Sequence, residues 1–194
     1  MNNHLNKLHL AFDDLYRDIR LHCKNCKDHD CEGYLWLLPE EAEMLYTQHI
    51  PIIEVNEGLY FVHSFQEIDG QIAVDIPKPP CVWCKDGKCM IYPMRPLVCR
   101  MYPVGLSFHD NELLLVLHQD CRFSRELSGD AKISFFRTVV DILQSVPSET
   151  VREITDVYLK IDEISSFPDG QNNYEIIATI DEILQKGDIQ NVQV

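Results

Sequence analysis

Apolar residues recur at Leu5, Leu8, Phe12, Leu15 and Ile19, in steps of three and four. Those steps fall on one stripe of a helix and predict an amphipathic helix over 3–21. Leu38-Pro39-Glu40-Glu41-Ala42-Glu43 opens a second, because proline suits a first helical turn and acids favour the positive end of the helix dipole. Between Ile50 and Ile76 the pattern changes. Ile52, Ile53, Val55, Tyr60, Val62, Ile72, Val74 and Ile76 form short β-rich runs broken at Asn56-Glu57-Gly58 and Asp69-Gly70, which predicts two or three antiparallel strands. Lys78-Pro79-Pro80 ends the last of them. Leu113 to Leu117 predicts another strand. Ala131–Val146 and Glu149–Ile164 predict two helices parted at Pro147, Phe167-Pro168-Asp169-Gly170 a turn, and Tyr174–Leu184 a last amphipathic helix. The expected class is α+β, a small antiparallel sheet with cysteine-rich metal-binding loops and a helical C-terminal tail. The expected division is a cysteine-cluster metal-binding domain over 1–125 and a helical extension over 126–194 packed on it.

The net charge of -14 argues against nonspecific nucleic-acid binding and against docking on anionic lipid, since both need a cationic surface. No stretch reaches the roughly 20 apolar residues that span a bilayer. Asp13, Asp14 and Asp18 interrupt the N-terminal segment, which does not read as a signal peptide. The expected location is the cytoplasm, with no membrane and no nucleic-acid partner. In that reducing setting eight cysteines are read first as metal ligands rather than disulfides.

Their spacing supports that reading. Cys23-x2-Cys26-x4-Cys31 is repeated as Cys81-x2-Cys84-x4-Cys89, with Cys99 and Cys121 following. C-x2-C is the spacing of a tight turn that directs two thiolates at one tetrahedral ion. One partition puts Cys81, Cys84, Cys89 and Cys99 in one site and Cys23, Cys26, Cys31 and Cys121 in another; crossed pairing of the two turns is equally allowed. A four-thiolate zinc or [4Fe–4S] site carries a formal charge of about -2 and needs donors and cations around it. Ten of the 17 Lys and Arg residues lie within four positions of a cysteine, in a chain that is acidic overall. From Glu126 onward there is no cysteine, and 13 acids face 5 bases. Zinc and iron–sulfur both fit the spacing. Val82, Trp83, Met90, Ile91, Leu97, Val98 and Met101 are expected to shield a cluster from water, which leans toward iron–sulfur.

The run Cys81-Val-Trp-Cys84, then Cys89-Met-Ile-Tyr92-Pro-Met-Arg95-Pro96-Leu-Val-Cys99-Arg100-Met-Tyr102-Pro103, resembles the signature of a cysteine-cluster family of zinc- or iron-chelating domains, related to the domain in flagellin lysine methylases. The resemblance covers about residues 20–125. It takes in Cys23, Cys26 and Cys31 as the N-terminal block, the segment from Leu38 to Glu43 as the helix after it, and Cys121 as the late cysteine. It implies a metal centre and no settled reaction. The chain departs from the family in its first block, which is usually C-x2-C-x2-C-C; His22 or His29 would be the substitute ligand. The chain is also much shorter than the methylases and has no nucleotide-type glycine loop.

Arg95 and Arg100 are candidates to donate to cluster sulfurs or grip a substrate carboxylate, with a structural salt bridge as the plainer alternative. Tyr92 and Tyr102 are expected to pack across the loop and bond through their hydroxyls. His63, His109 and His118 are weaker ligand candidates. The expected function is an iron–sulfur (4Fe-4S) or zinc protein with a protein partner or substrate, in redox or protein-modification chemistry. The alternative is a non-enzymatic, zinc-stabilised interaction module. An enzyme should show a concave pocket lined by Arg95, Arg100 and a tyrosine; a scaffold should show a closed site.

Overall fold

A computed structural model of the chain describes residues 3–17, 35–56, 58–62, 65–68, 71–77, 83–86, 88–164 and 173–185. The apolar stripe at the start forms helix α1 (Asn3–Leu15), with Leu5, Leu8 and Phe12 buried. Tyr16, just beyond its end, sends its hydroxyl to the carbonyl of Met101, 2.6 Å away; residues 18–21 of the expected helix lie outside the described residues. Strand β1 (Trp36–Leu37) leads into helix α2 (Pro39–Thr47). Strands β2 (Ile52–Asn56) and β3 (Leu59–Val62) complete a sheet of order β1-β3-β2. A separate hairpin pairs β4 (Phe65–Ile68) with β5 (Gln71–Pro77). Among the described residues, the region between Ile50 and Ile76 therefore holds four strands in two sheets, where two or three were expected.

A short hairpin, β6 (Cys84–Lys85) and β7 (Lys88–Cys89), precedes helix α3 (Leu97–Met101). Strands β8 (Val104–His109) and β9 (Glu112–His118) meet at a two-residue loop. Asp110 and Asn111 there have φ of 50° and 64°, the left-handed pair that a type I′ hairpin requires and that Asp and Asn tolerate. Helices α4 (Arg122–Glu126), α5 (Gly129–Gln144) and α6 (Ser148–Ile164) follow.

The last expectation needs correction. Tyr174–Leu184 is not one helix but strand β10 (Tyr174–Thr179) followed by helix α7 (Ile180–Leu184). Thr179 accepts from the Glu182 N–H, and the Glu182 carboxylate accepts from the Thr179 N–H, 3.2 and 2.8 Å. This capping box fixes the helix start. β10 pairs with the free side of β9, giving the order β10-β9-β8. Leu114 to Leu117 are all buried, so β9 is covered on both faces. One apolar core runs from Leu5, Leu8 and Phe12 through Leu115 and Leu117 to Phe136, Val139, Ile154, Ile177 and Ile183. Residues on both sides of position 125 share it. The architecture is mixed helix and strand with small antiparallel sheets. No described helix is long and apolar enough to cross a membrane.

Candidate metal centre

The x4 spacing of the second cysteine block is a hairpin spacing. In the β6–β7 ladder Cys84 stands opposite Cys89 and Lys85 opposite Lys88. Asp86, just past Lys85, has a φ of 51°, the left-handed backbone that hairpin turns use and that Asp tolerates. The Met90 N–H donates to the Trp83 carbonyl at 2.8 Å and extends the ladder. Hydrogen-bonded and non-hydrogen-bonded pairs alternate along such a ladder. Positions 84 and 89 thus fall in a non-hydrogen-bonded pair, where facing Cα atoms are about 4.5 Å apart. Trp83 and Cys89 pack beside a second, smaller core of Leu37, Ala42, Leu45, Ile50, Val62 and Ile91.

After the hairpin a single turn, Tyr92–Met94, leads to α3, which carries Cys99 and Arg100. Both arginine candidates turn to α1. Arg95 Nη2 is 3.1 Å from Asp13 Oδ1, and Arg100 Nη1 bonds Asp13 Oδ2. Arg100 is buried, and its Nε and Nη2 donate to the carbonyls of Arg95 and Pro93 at 2.7 and 2.8 Å. Its guanidinium therefore braces the segment before Cys99. The Arg95 guanidinium also lies over the Tyr92 ring, 3.8 Å from its centroid. Beneath this clamp Glu41 of α2, fully buried, has one carboxyl oxygen 2.7 Å from His9 Nε2 and 2.6 Å from the Leu97 N–H. The other takes the Leu38 N–H at 3.1 Å. Glu41 joins α1, the start of α2 and the first residue of the cysteine helix.

Cys121 sits just before α4, half-buried. Arg125 closes the turn in front of it by donating to the carbonyls of Gln119 and Asp120, 3.0 and 2.5 Å. Tyr102, at the end of α3, stacks on the His118 ring with centroids 6.1 Å apart. That ring lies against Gly105 so closely that a Cβ there would stand 2.5 Å from its Nε2. Burial holds the His118 pKa below the usual imidazole range, partly offset by Asp120. His109 is exposed beside Asp110. Of the apolar shield, Ile91, Leu97 and Met101 are buried, while Met90 is 59% exposed and faces water.

Cys23, Cys26, Cys31 and Cys81, with His22, His29 and His63, lie outside the described residues. Cys89 and Cys99 are half-buried. Among the described residues no three His, Cys, Asp or Glu side chains are grouped closely enough to hold a metal ion, so Cys89, Cys99 and Cys121 do not form one ligand triad. Several bases near cysteines have other partners: Arg95 and Arg100 reach Asp13, and Arg122 reaches Glu126 at 2.8 Å.

The sequence reading missed His9, Asp13 and Glu41. A signal existed for the first two: they are four residues apart, each one position after a buried residue of the α1 stripe, so they edge its buried face. Three side-chain atoms are shielded from solvent and meet no hydrogen-bond partner among the described residues: Trp83 Nε1, Arg95 Nε and Ser124 Oγ.

No family model, no curated protein and no solved structure matches the chain, so what this site does has to be read from its own residues.

Proposed function

We propose that the chain is a metal-binding protein holding an iron–sulfur cluster or zinc through its clustered cysteines. The observation that carries this reading is the β6–β7 register, which sets Cys84 against Cys89. That facing register supports the two cysteines sharing an ion, and Cys99 follows on a helix tied down from two sides. Thiolates are soft ligands that select zinc and iron–sulfur, and solvent-shielded donors stand near them in sequence. One partition takes Cys81, Cys84, Cys89 and Cys99 as one ligand set and Cys23, Cys26, Cys31 and Cys121 as the second; the other crosses the two C-x2-C turns. Bound zinc would close the loops as a structural staple, whereas a cluster would supply one-electron chemistry or a substrate anchor.

One observation favours the structural use. Arg100, one of the two arginines expected to grip a substrate, is buried with its guanidinium bonded to Asp13 and two carbonyls. This supports a module that presents a surface to a protein partner over an enzyme with an arginine-lined pocket.

Metal analysis and the visible spectrum of anaerobically purified protein test the proposal. Brown protein with broad absorption near about 400 nm indicates iron–sulfur; colourless protein with stoichiometric zinc indicates the staple. Cys84→Ser and Cys99→Ser should each lose metal and thermal stability together. Full metal content and normal melting in both would refute the ligand assignment.

A further inference from the structure

The β6–β7 hairpin is held by a short ladder. Its rungs set Cys84 opposite Cys89 and Lys85 opposite Lys88, and the bond from the Met90 N–H to the Trp83 carbonyl extends it by one step. Like charges directly opposite weaken a rung, and a two-stranded ribbon is marginal by itself. The cysteine rung is different. It falls at a non-hydrogen-bonded position, where opposite residues share one face of the pleat and their Cβ atoms come closest. A disulfide spans Cα atoms about 4.4–6.8 Å apart, and residues opposite each other at such a position stand about 4.5 Å apart. The backbone therefore already sets these two positions within the span of an S–S bond. Cys89 is half-buried beside the small core of Leu37, Leu45 and Ile91, so solvent reaches it in part.

We propose that Cys84 and Cys89 form a reversible disulfide across the hairpin, which makes this pair a redox switch. The electron acceptor is a low-molecular-weight disulfide such as oxidised glutathione. One cysteine thiolate attacks a sulfur of that disulfide and expels one glutathione thiolate, leaving a mixed disulfide. The facing cysteine then attacks the protein sulfur of the mixed disulfide and expels the second glutathione thiolate. Two protein thiols give up two protons and two electrons, and one glutathione disulfide becomes two glutathione molecules. Excess reduced glutathione runs the same steps backward. The register favours the second attack, because the facing position is held in place by the ladder and pays no loop-closure entropy. Closing the link withdraws both cysteines as metal ligands, since the thiolate is the form that binds metal. That consequence rests on the cysteine-metal reading above, whereas the disulfide rests on the backbone register.

The test treats the metal-free full chain with oxidised glutathione, caps the remaining thiols with an alkylating agent and locates the bonds by mass spectrometry of unreduced fragments. The Cys84–Cys89 link should be the first internal disulfide to form. Cys84→Ser and Cys89→Ser should abolish it, while Cys81→Ser and Cys99→Ser should leave it in place. Cys26 and Cys31 have the same spacing and serve as the control for chain proximity. In urea the two links should form in equal yield, and in native buffer the Cys84–Cys89 link should exceed its own yield in urea. A first bond between Cys81 and Cys84 would overturn the proposal. So would a lasting glutathione adduct with no internal bond, or a Cys84–Cys89 yield no higher in native buffer than in urea; these readouts use the wild type and depend on no variant folding. Zinc added before the oxidant should suppress the link. A link that forms equally with and without zinc refutes these two cysteines as metal ligands and leaves the disulfide standing. Absence of the link from metal-free protein that still takes up zinc overturns the disulfide and leaves the metal reading standing.

Discussion

Two regions of this molecule are held together by different physics. The body built from α1, β8–β10, α5, α6 and α7 is held by burial: its interior is an unbroken set of aliphatic and aromatic side chains. The cysteine-bearing stretch from Trp83 to Met101 reaches that core only through Leu97, Val98 and Met101 of its helix, and its hairpin and turn rest on a much smaller apolar base. It is tied down by polar contacts, with Asp13 on Arg95 and Arg100, Glu41 on the Leu97 N–H, and Tyr16 on the Met101 carbonyl. Burial is nondirectional and tolerates small shifts, whereas charge-assisted hydrogen bonds fix position and direction. A scaffold that must hold ligands in a set geometry needs the second kind of restraint, and it draws on the first for its stability.

Substitutions should separate the two regions. Phe12→Ala, in the main core, should lower unfolding stability by about 3–5 kcal/mol, to the same extent with and without metal, by urea denaturation. Glu41→Ala strips His9 and two backbone N–H groups of their acceptor in a buried place. It should cost about 3 kcal/mol, and hydrogen exchange should show the Leu97–Met101 amides opening first. Asp13→Ala should cost about 1–2 kcal/mol, because Asp13 is partly exposed, yet it should weaken metal retention more than Phe12→Ala does. A larger loss of metal from Phe12→Ala would show that the clamp does not govern the site. The smallest effect is on pH dependence. His118 is held neutral by burial, so its folded pKa lies below the unfolded value. The unfolded chain then binds the extra proton more readily, and stability should fall as pH drops from about 6.5 toward the lowered folded value. His118→Gln should flatten that slope in melting experiments between pH 7.5 and 5.

Much of the body was legible in the sequence, for a physical reason. Leu5, Leu8 and Phe12 follow the helical period, and Val139, Val140 and Leu143 do the same in α5. β10 was misread because Ile176, Ile180, Ile183 and Leu184 also fit helical steps. The Thr179-to-Glu182 capping signal, which marks where the helix begins, was the better guide. β8 was missed although Val104, Leu106 and Phe108 alternate and Asp110-Asn111 is a hairpin turn. At the candidate centre the cysteine spacing was legible because it is local in the chain, whereas the Cys84–Cys89 hairpin within it was not read. The roles of Asp13 and Glu41 were not, because their partners are 82 and 56 residues away and long-range pairing leaves no periodic trace.

The pairing of β10 with β9 means that residue 125 is no seam. A fragment ending there would carry β9 with a bare row of backbone donors and acceptors, and Leu115 and Leu117 without their cover. Such an edge recruits any strand within reach. The excised cysteine half should therefore self-associate when expressed alone, and adding the missing half in trans should restore a discrete heterodimer.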